Sequence, residues 1–148
     1  LGALIAEGAS SYVFEVKSTD RADWALKLLK PELVTQRSAR FKNETLFIQQ
    51  NTHNNIIKAV DVGISIINTV DCPFYVMRFY PSTLRGLMNQ RIGAKQAIEL
   101  FDQLLSGIQV VHSAGVVHGD LTPSNILYDP SVKGGEKLDR QGGAKVYH

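Results

Sequence analysis

The sequence predicts an α+β fold: a small five-stranded antiparallel sheet with one helix in its first part, then the start of a mainly helical second part. Three observations carry that expectation. Short β-rich segments recur between residues 4 and 79, with one helix-like stretch among them. The run Tyr80-Pro81-Ser82 then breaks the pattern, and the most regular apolar periodicity of the chain follows it, from about Ala94 to Ala114. The break divides the chain into residues 1–80 and 81–148.

In the first part, Leu4-Ile5-Ala6 and Tyr12 to Val16 read as two strands of a hairpin, joined by the small residues Gly8-Ala9-Ser10 and their neighbours Glu7 and Ser11. Asp20-Arg21-Ala22-Asp23 reads as a turn. Trp24 to Leu29 makes a third strand, with Trp24, Leu26 and Leu28 on one face and Ala25, Lys27 and Leu29 on the other. A lysine between apolar neighbours on a sheet face either reaches water or has a specific anionic partner. From roughly Gln36 to Gln50 the pattern is helical, and Phe41, Glu44 and Ile48 fall on one stripe. An inward glutamate needs a cation: Arg40, one turn back, or Lys27. Val60 to Ile67 and Phe74 to Phe79 are the fourth and fifth strands, and Asn68 to Pro73 between them reads as a turn.

In the second part, Thr83 to Met88 reads as a short helix. The long helix carries Ile98, Phe101, Leu105, Ile108 and His112 at heptad-like spacing, widened by Leu100, Leu104 and Val111, and is expected to lie in the core on that stripe. His112 is expected to be a packed or hydrogen-bonded core histidine, and Gly115 to cap the helix. The polar, glycine-rich run from Asp129 to Gly143 is expected to be an exposed connection. Ala144 to Tyr147 should form a strand paired with Ile126 to Tyr128.

Composition narrows the function. With 44% hydrophobic and 20% charged residues the chain has material for one core, and a formal charge of +2 with scattered lysines and arginines gives no argument for nucleic acid. No apolar run approaches the ~18 residues that span a bilayer, and Leu1 to Ala6 lacks the basic lead of a signal peptide, so a cytoplasmic setting is expected. The single Cys72 excludes an internal disulfide and is expected to be a small, partly buried side chain. The missing initial Met and the stop at Tyr147-His148 suggest a piece of a longer chain.

The chemistry concentrates in Val116-Val117-His118-Gly119-Asp120-Leu121-Thr122-Pro123-Ser124-Asn125-Ile126-Leu127. An apolar run leads into a polar loop and an apolar pair leads out, which is how a fold presents reactive side chains. Asp120 and Asn125 can hold a proton acceptor and a metal ligand side by side.

In its order of parts the chain resembles the protein kinase family, and the resemblance covers nearly all of it. Glu7 to Val13 stands in the place of the glycine-rich loop, Ala25-Leu26-Lys27 in that of the lysine strand, His53-Asn54-Asn55-Ile56-Ile57 in that of a His-Pro-Asn-Ile-Val segment, and His118 to Asn125 in that of the catalytic loop. The resemblance implies ATP and magnesium as cofactors and a protein Ser/Thr hydroxyl as acceptor. Asp120 would be the catalytic base, with Lys27, fixed by Glu44, on the phosphates and Asn125 on magnesium. Gly8, Val13, Ala25, Lys27, Met77 and Phe79 would contact the nucleotide, with Met77 as gatekeeper.

Leu29-Lys30-Pro31-Glu32-Leu33 and Pro123-Ser124-Asn125 look like bacterial serine/threonine protein kinases, whereas His118-Gly119-Asp120 also occurs in aminoglycoside-type small-molecule phosphotransferases. A pseudokinase or nucleotide-binding scaffold is the other alternative. Ala6 and Ser11 stand where the family has glycines, Gly119 where it usually has arginine, and Thr122 where it usually has lysine. The family's Asp-Phe-Gly would fall at or just past His148, so the isolated chain is expected to transfer phosphate slowly.

Overall fold

A computed structural model describes residues 1–17, 23–129 and 143–146. The turn expected at residues 20–22, the connection expected across 130–142 and the strand end at 147–148 lie outside the described residues. By backbone proximity the chain forms two compact units: Leu1–Gln50 with Lys58–Phe79, and Asn51–Ile57 with the described residues from Tyr80 onward.

The first unit is the predicted five-stranded antiparallel sheet with one helix. Its strands are β1 (Leu4–Glu7), β2 (Ser11–Lys17), β3 (Asp23–Leu29), β4 (Ala59–Ile67) and β5 (Val70–Arg78), in the order β1-β2-β3-β5-β4. Both faces of β3 are covered, but unequally: Ala25, Lys27 and Leu29 are buried, as is Leu28, while Trp24 and Leu26 are half-buried. The helix α1 (Val34–Gln50) packs on β3, β4 and β5. It begins two residues before the position expected from periodicity, because a 3-10 turn over Pro31–Leu33 leads directly into it, with proline at a position where the missing N–H costs nothing. Its buried residues are Phe41, Glu44, Phe47 and Ile48, and each apolar one contributes about 1.5–3 kcal/mol of burial.

The connection between β4 and β5 is tighter than the sequence suggests. Only Asn68 and Thr69 form it, both with positive φ (47° and 69°), and Val70 to Pro73 belong to β5. Two left-handed residues give the backbone the twist a hairpin needs, which is why two suffice. Pro73 is tolerated in the strand because the ladder with β3 ends at Phe74. Across the same hairpin Gly63 faces Phe74, and a Cβ there would sit 2.7 Å from the Phe74 ring.

In the second unit, the strand β6 (Ser82–Thr83) pairs with β7 (Ile126–Asp129), which pairs with β8 (Gly143–Val146). Ser82, read from sequence as part of a break, thus opens a short strand opposite Tyr128. Thr83 then caps the helix α2 (Leu84–Met88), its Oγ1 accepting the Gly86 N–H at 3.2 Å.

The long helix α3 (Ala94–Ser113) overturns one expectation. The stripe Ile98, Phe101 and Leu105 is outermost, at 70%, 60% and 51% exposure, and His112 is exposed too. The buried residues are Leu100, Gly107 and Val111, with Leu104 packed against the cluster of Leu87, Leu100 and Ile126. The apolar arc of this helix is wide enough to contain two stripes, and periodicity alone does not say which one faces α2 and β7. At its C-terminus Gly115 (φ 72°) completes a two-bond cap, with Gly115 N–H donating to His112 O and Val116 N–H to Val111 O.

Candidate functional site

Each unit carries one half of the predicted constellation. In the first unit the pairing register sets the face on which its members lie. Val13, Lys27 and Tyr75 are directly opposite one another across β2, β3 and β5, and Ala25 and Met77 form the adjacent row on the same face. Ala25 and Met77 are buried.

Lys27 projects from this face toward α1, where its Nζ lies 2.6 Å from Glu44 Oε1. Both side chains are nearly inaccessible, at 6% and 7%. Glu44 therefore turns inward to Lys27 and not along its own helix to Arg40. Tyr75 Oη donates to the same Oε1 at 2.7 Å, and the Lys27 ammonium stands 5.6 Å from the ring centroids of both Phe41 and Tyr75. A buried ammonium is tolerable only with such compensation: a carboxylate at contact distance and two ring faces. Tyr75 was legible in sequence only as part of a strand, since its place opposite Lys27 depends on a register that periodicity does not give.

Gly8 opens the β1–β2 connection, its N–H donating to Ser11 O at 2.8 Å. Phe79 lies at the end of this unit, with its N–H donating to the Asp23 carbonyl at 2.9 Å, so the group it can still offer a ligand is its carbonyl. A feature the sequence reading did not single out lies beside the loop: Lys30 Nζ is 2.6 Å from Glu7 Oε1 and 4.8 Å from the Tyr12 ring centroid. The Glu7 bond holds the Lys30 ammonium above the ordinary lysine pKa, against the opposing effect of burial.

In the second unit the loop after α3 brings His118, Asp120 and Asn125 together. His118 is buried, and its Nδ1 accepts the Asp120 N–H at 3.3 Å. Gly119 between them has φ 72°, a value at which any other residue is strained. The 3-10 turn Pro123–Asn125 returns Asn125 to Asp120: its Nδ2 donates to the Asp120 backbone O at 2.8 Å and to Asp120 Oδ2 at 3.0 Å. With the amide nitrogen so committed, the oxygen Oδ1 is the atom turned to other use, and an amide oxygen is the hard donor that magnesium takes. Among the described residues there is no cluster of three or more His, Cys, Asp or Glu that could hold a metal, so Asn125 could contribute at most one oxygen to an ion there.

Comparison with known proteins gives these halves a common context. The family model for the protein kinase domain matches residues 1–145. The mitogen-activated protein kinase HOG1 of Cochliobolus heterostrophus is 37% identical over 123 residues, covering 81% of this chain and 34% of the relative. The HOG1 kinase of Exserohilum turcicum is 36% identical over 81% of this chain and 36% of its own length. That of Aspergillus terreus is 38% identical over 102 residues, 68% of this chain and 27% of the relative. The chain spans about a third of the length of the curated relatives it matches. It belongs to the protein kinase family, whose members use ATP and magnesium. No helix among the described residues is long and apolar enough to cross a membrane.

Proposed function

We propose that this chain is the nucleotide-binding and catalytic-loop portion of a serine/threonine protein kinase. In the reaction the bond between the terminal phosphorus of ATP and its bridging oxygen breaks, a hydroxyl oxygen of a protein acceptor bonds to that phosphorus, and the hydroxyl proton passes to Asp120. The observation that supports this best is the buried Lys27–Glu44 contact, because burying an ammonium on a sheet face is costly unless its orientation serves something. Lys27 is read as the contact to the α and β phosphates, Glu44 and Tyr75 as what fixes it, and Val13, Ala25, Met77 and the Phe79 carbonyl as the adenine surround.

The loop is read as the phosphate cradle. A side chain at Gly8 would meet nothing closer than Ser11 O at 3.6 Å, so the loop's own packing does not call for glycine, and its value is the open approach to backbone N–H groups. Asn125 would hold magnesium through Oδ1, and the ion when bound neutralises phosphate charge. The hydrogen bonds from Asn125 fix Asp120 in one rotamer, which orients its carboxylate toward an acceptor proton.

The relatives named above are mitogen-activated protein kinases, which supports a protein acceptor. They lend nothing to the bacterial character suggested by Leu29 to Leu33, or to a small-molecule acceptor.

Calorimetric titration of the chain with ATP and magnesium tests the reading. Lys27→Met should weaken ATP binding about tenfold or more, measured on protein whose circular dichroism shows that it is folded. Asp120→Asn should keep binding and abolish transfer of the terminal phosphoryl group to a protein acceptor. Equal ATP affinity in wild type and Lys27→Met sinks the proposal.

A further inference from the structure

The two lysines at the end of the third strand point to opposite sides of the sheet. Lys27 pairs with Val13 and faces α1, whereas Lys30 lies over the ring of Tyr12, which sits opposite Leu28 on the other face. From there Lys30 crosses β2 to reach Glu7, the last residue of β1 and the partner of Tyr12 in the ladder. Its own N–H donates to the Ser10 carbonyl at 3.0 Å. Lys30 thus touches Glu7 just before the loop of residues 8–10, Ser10 at its end, and Tyr12 in the strand beyond it.

We infer that Lys30 is a positioning residue for the phosphate end of the nucleotide, acting by neutralising the Glu7 carboxylate at the root of the loop. The inference rests on the reading of residues 8–10 as the phosphate cradle. Glu7 is adjacent to Gly8, and its side chain is 55% exposed while that of Lys30 is 11% exposed, so the carboxylate would otherwise present its charge to any anion approaching the loop's N–H groups. Like charges at short range raise the cost of bringing a polyanion to that place, and the cost grows with the number of phosphates. An ammonium at contact distance removes it. The same ammonium, seated on the Tyr12 ring, holds Glu7 back along the sheet.

This role has a signature that simple structural support lacks: the effect of losing Lys30 must scale with ligand charge and must depend on Glu7. The test is titration of the 148-residue chain with ATP, ADP and adenosine in the presence of magnesium, for wild type, Lys30→Met, Glu7→Gln and the double variant. Lys30→Met should lose about tenfold in ATP affinity, less for ADP, and nothing for adenosine. Glu7→Gln should bind ATP at least as tightly as wild type, and adding Glu7→Gln to Lys30→Met should restore most of the loss. Equal losses for ATP and adenosine, or no rescue in the double variant, overturn the inference. Because Glu7 is exposed, Glu7→Gln remains informative even if Lys30→Met misfolds, and weaker ATP binding by Glu7→Gln overturns the inference too. Wild type that binds neither ATP nor adenosine overturns the nucleotide reading and the inference with it, whereas wild-type ATP binding unchanged by Lys30→Met overturns the inference alone.

Discussion

The hydroxyl of Tyr75 donates to Glu44 Oε1 at 2.7 Å, onto the same oxygen that lies 2.6 Å from Lys27 Nζ. One carboxylate oxygen therefore ties β3 and β5 to α1, and the three residues should behave as a unit. Tyr75→Phe should destabilise the protein by about 1.5–3 kcal/mol, the cost of a lost hydrogen bond to a buried charge. Glu44→Ala, which takes the carboxylate away from a buried ammonium, should cost about 3–5 kcal/mol. Urea denaturation of these variants and of Lys27→Met/Glu44→Leu checks both figures, with the double replacement expected to be far milder than Glu44→Ala. Strictly additive losses would show that the three side chains are energetically independent.

Gly119, where the resemblance to the family would put an arginine, has a φ of 72°, which glycine adopts without strain. Gly119→Arg should destabilise the chain by about 1–2 kcal/mol, and Gly119→Ala by the same amount, because left-handed backbone penalises any Cβ. Crowding is not the source, since the nearest atom to a Cβ there is Val117 O at 4.0 Å. Unfolding midpoints of the two variants should coincide within error; a much larger loss for arginine would point to a steric cause.

Thr69 holds φ 69° in the β4–β5 turn despite its β-branched side chain. Thr69→Gly should therefore stabilise the hairpin by about 1 kcal/mol, and thermal unfolding should register a higher midpoint. Asn68→Gly should give less, since asparagine already tolerates the left-handed region. A midpoint lowered by Thr69→Gly would mean the threonine side chain contributes more than its strain costs.

Cys72 is completely buried, and desolvation, reinforced by Asp71 and Glu32, pushes its thiol pKa up. The folded state thus holds this proton to higher pH than the unfolded state. The corresponding stability is fully present below the unfolded thiol value of about 8.5 and is lost as pH rises through the folded one. A disulfide reagent at pH 8 should leave the native thiol untouched and react at once in denaturant. Denaturation between pH 8 and 10 should show a steeper decline for wild type than for Cys72→Ala. Rapid labelling of the native protein would contradict the burial on which the sign depends.

Much of the sheet was legible because its strands alternate and its helix stripe includes one charged residue. Glu44 on the Phe41–Ile48 stripe was a local contradiction, and such contradictions mark function more reliably than agreement does. The loop from His118 to Asn125 was legible through fixed polar spacing, which the Asn125 hydrogen bonds to Asp120 now account for. What escaped the sequence was register and orientation. Tyr75 reaches Glu44 because of how β3 and β5 align, and Lys30 reaches Glu7 across a strand, and neither separation along the chain hints at contact. On α3 periodicity marks the apolar arc and not its buried half, because which side of a helix is covered depends on α2 and β7, whose placement local sequence does not encode.

The close approach of Gly63 to the Phe74 ring ties two positions eleven residues apart into one choice. An alanine at 63 forces the ring aside, and a smaller residue at 74 leaves a void over the glycine. Among related chains these two positions should covary, with a side chain at one accompanied by a reduced one at the other. A library that randomises both should recover folded members along that diagonal and few elsewhere.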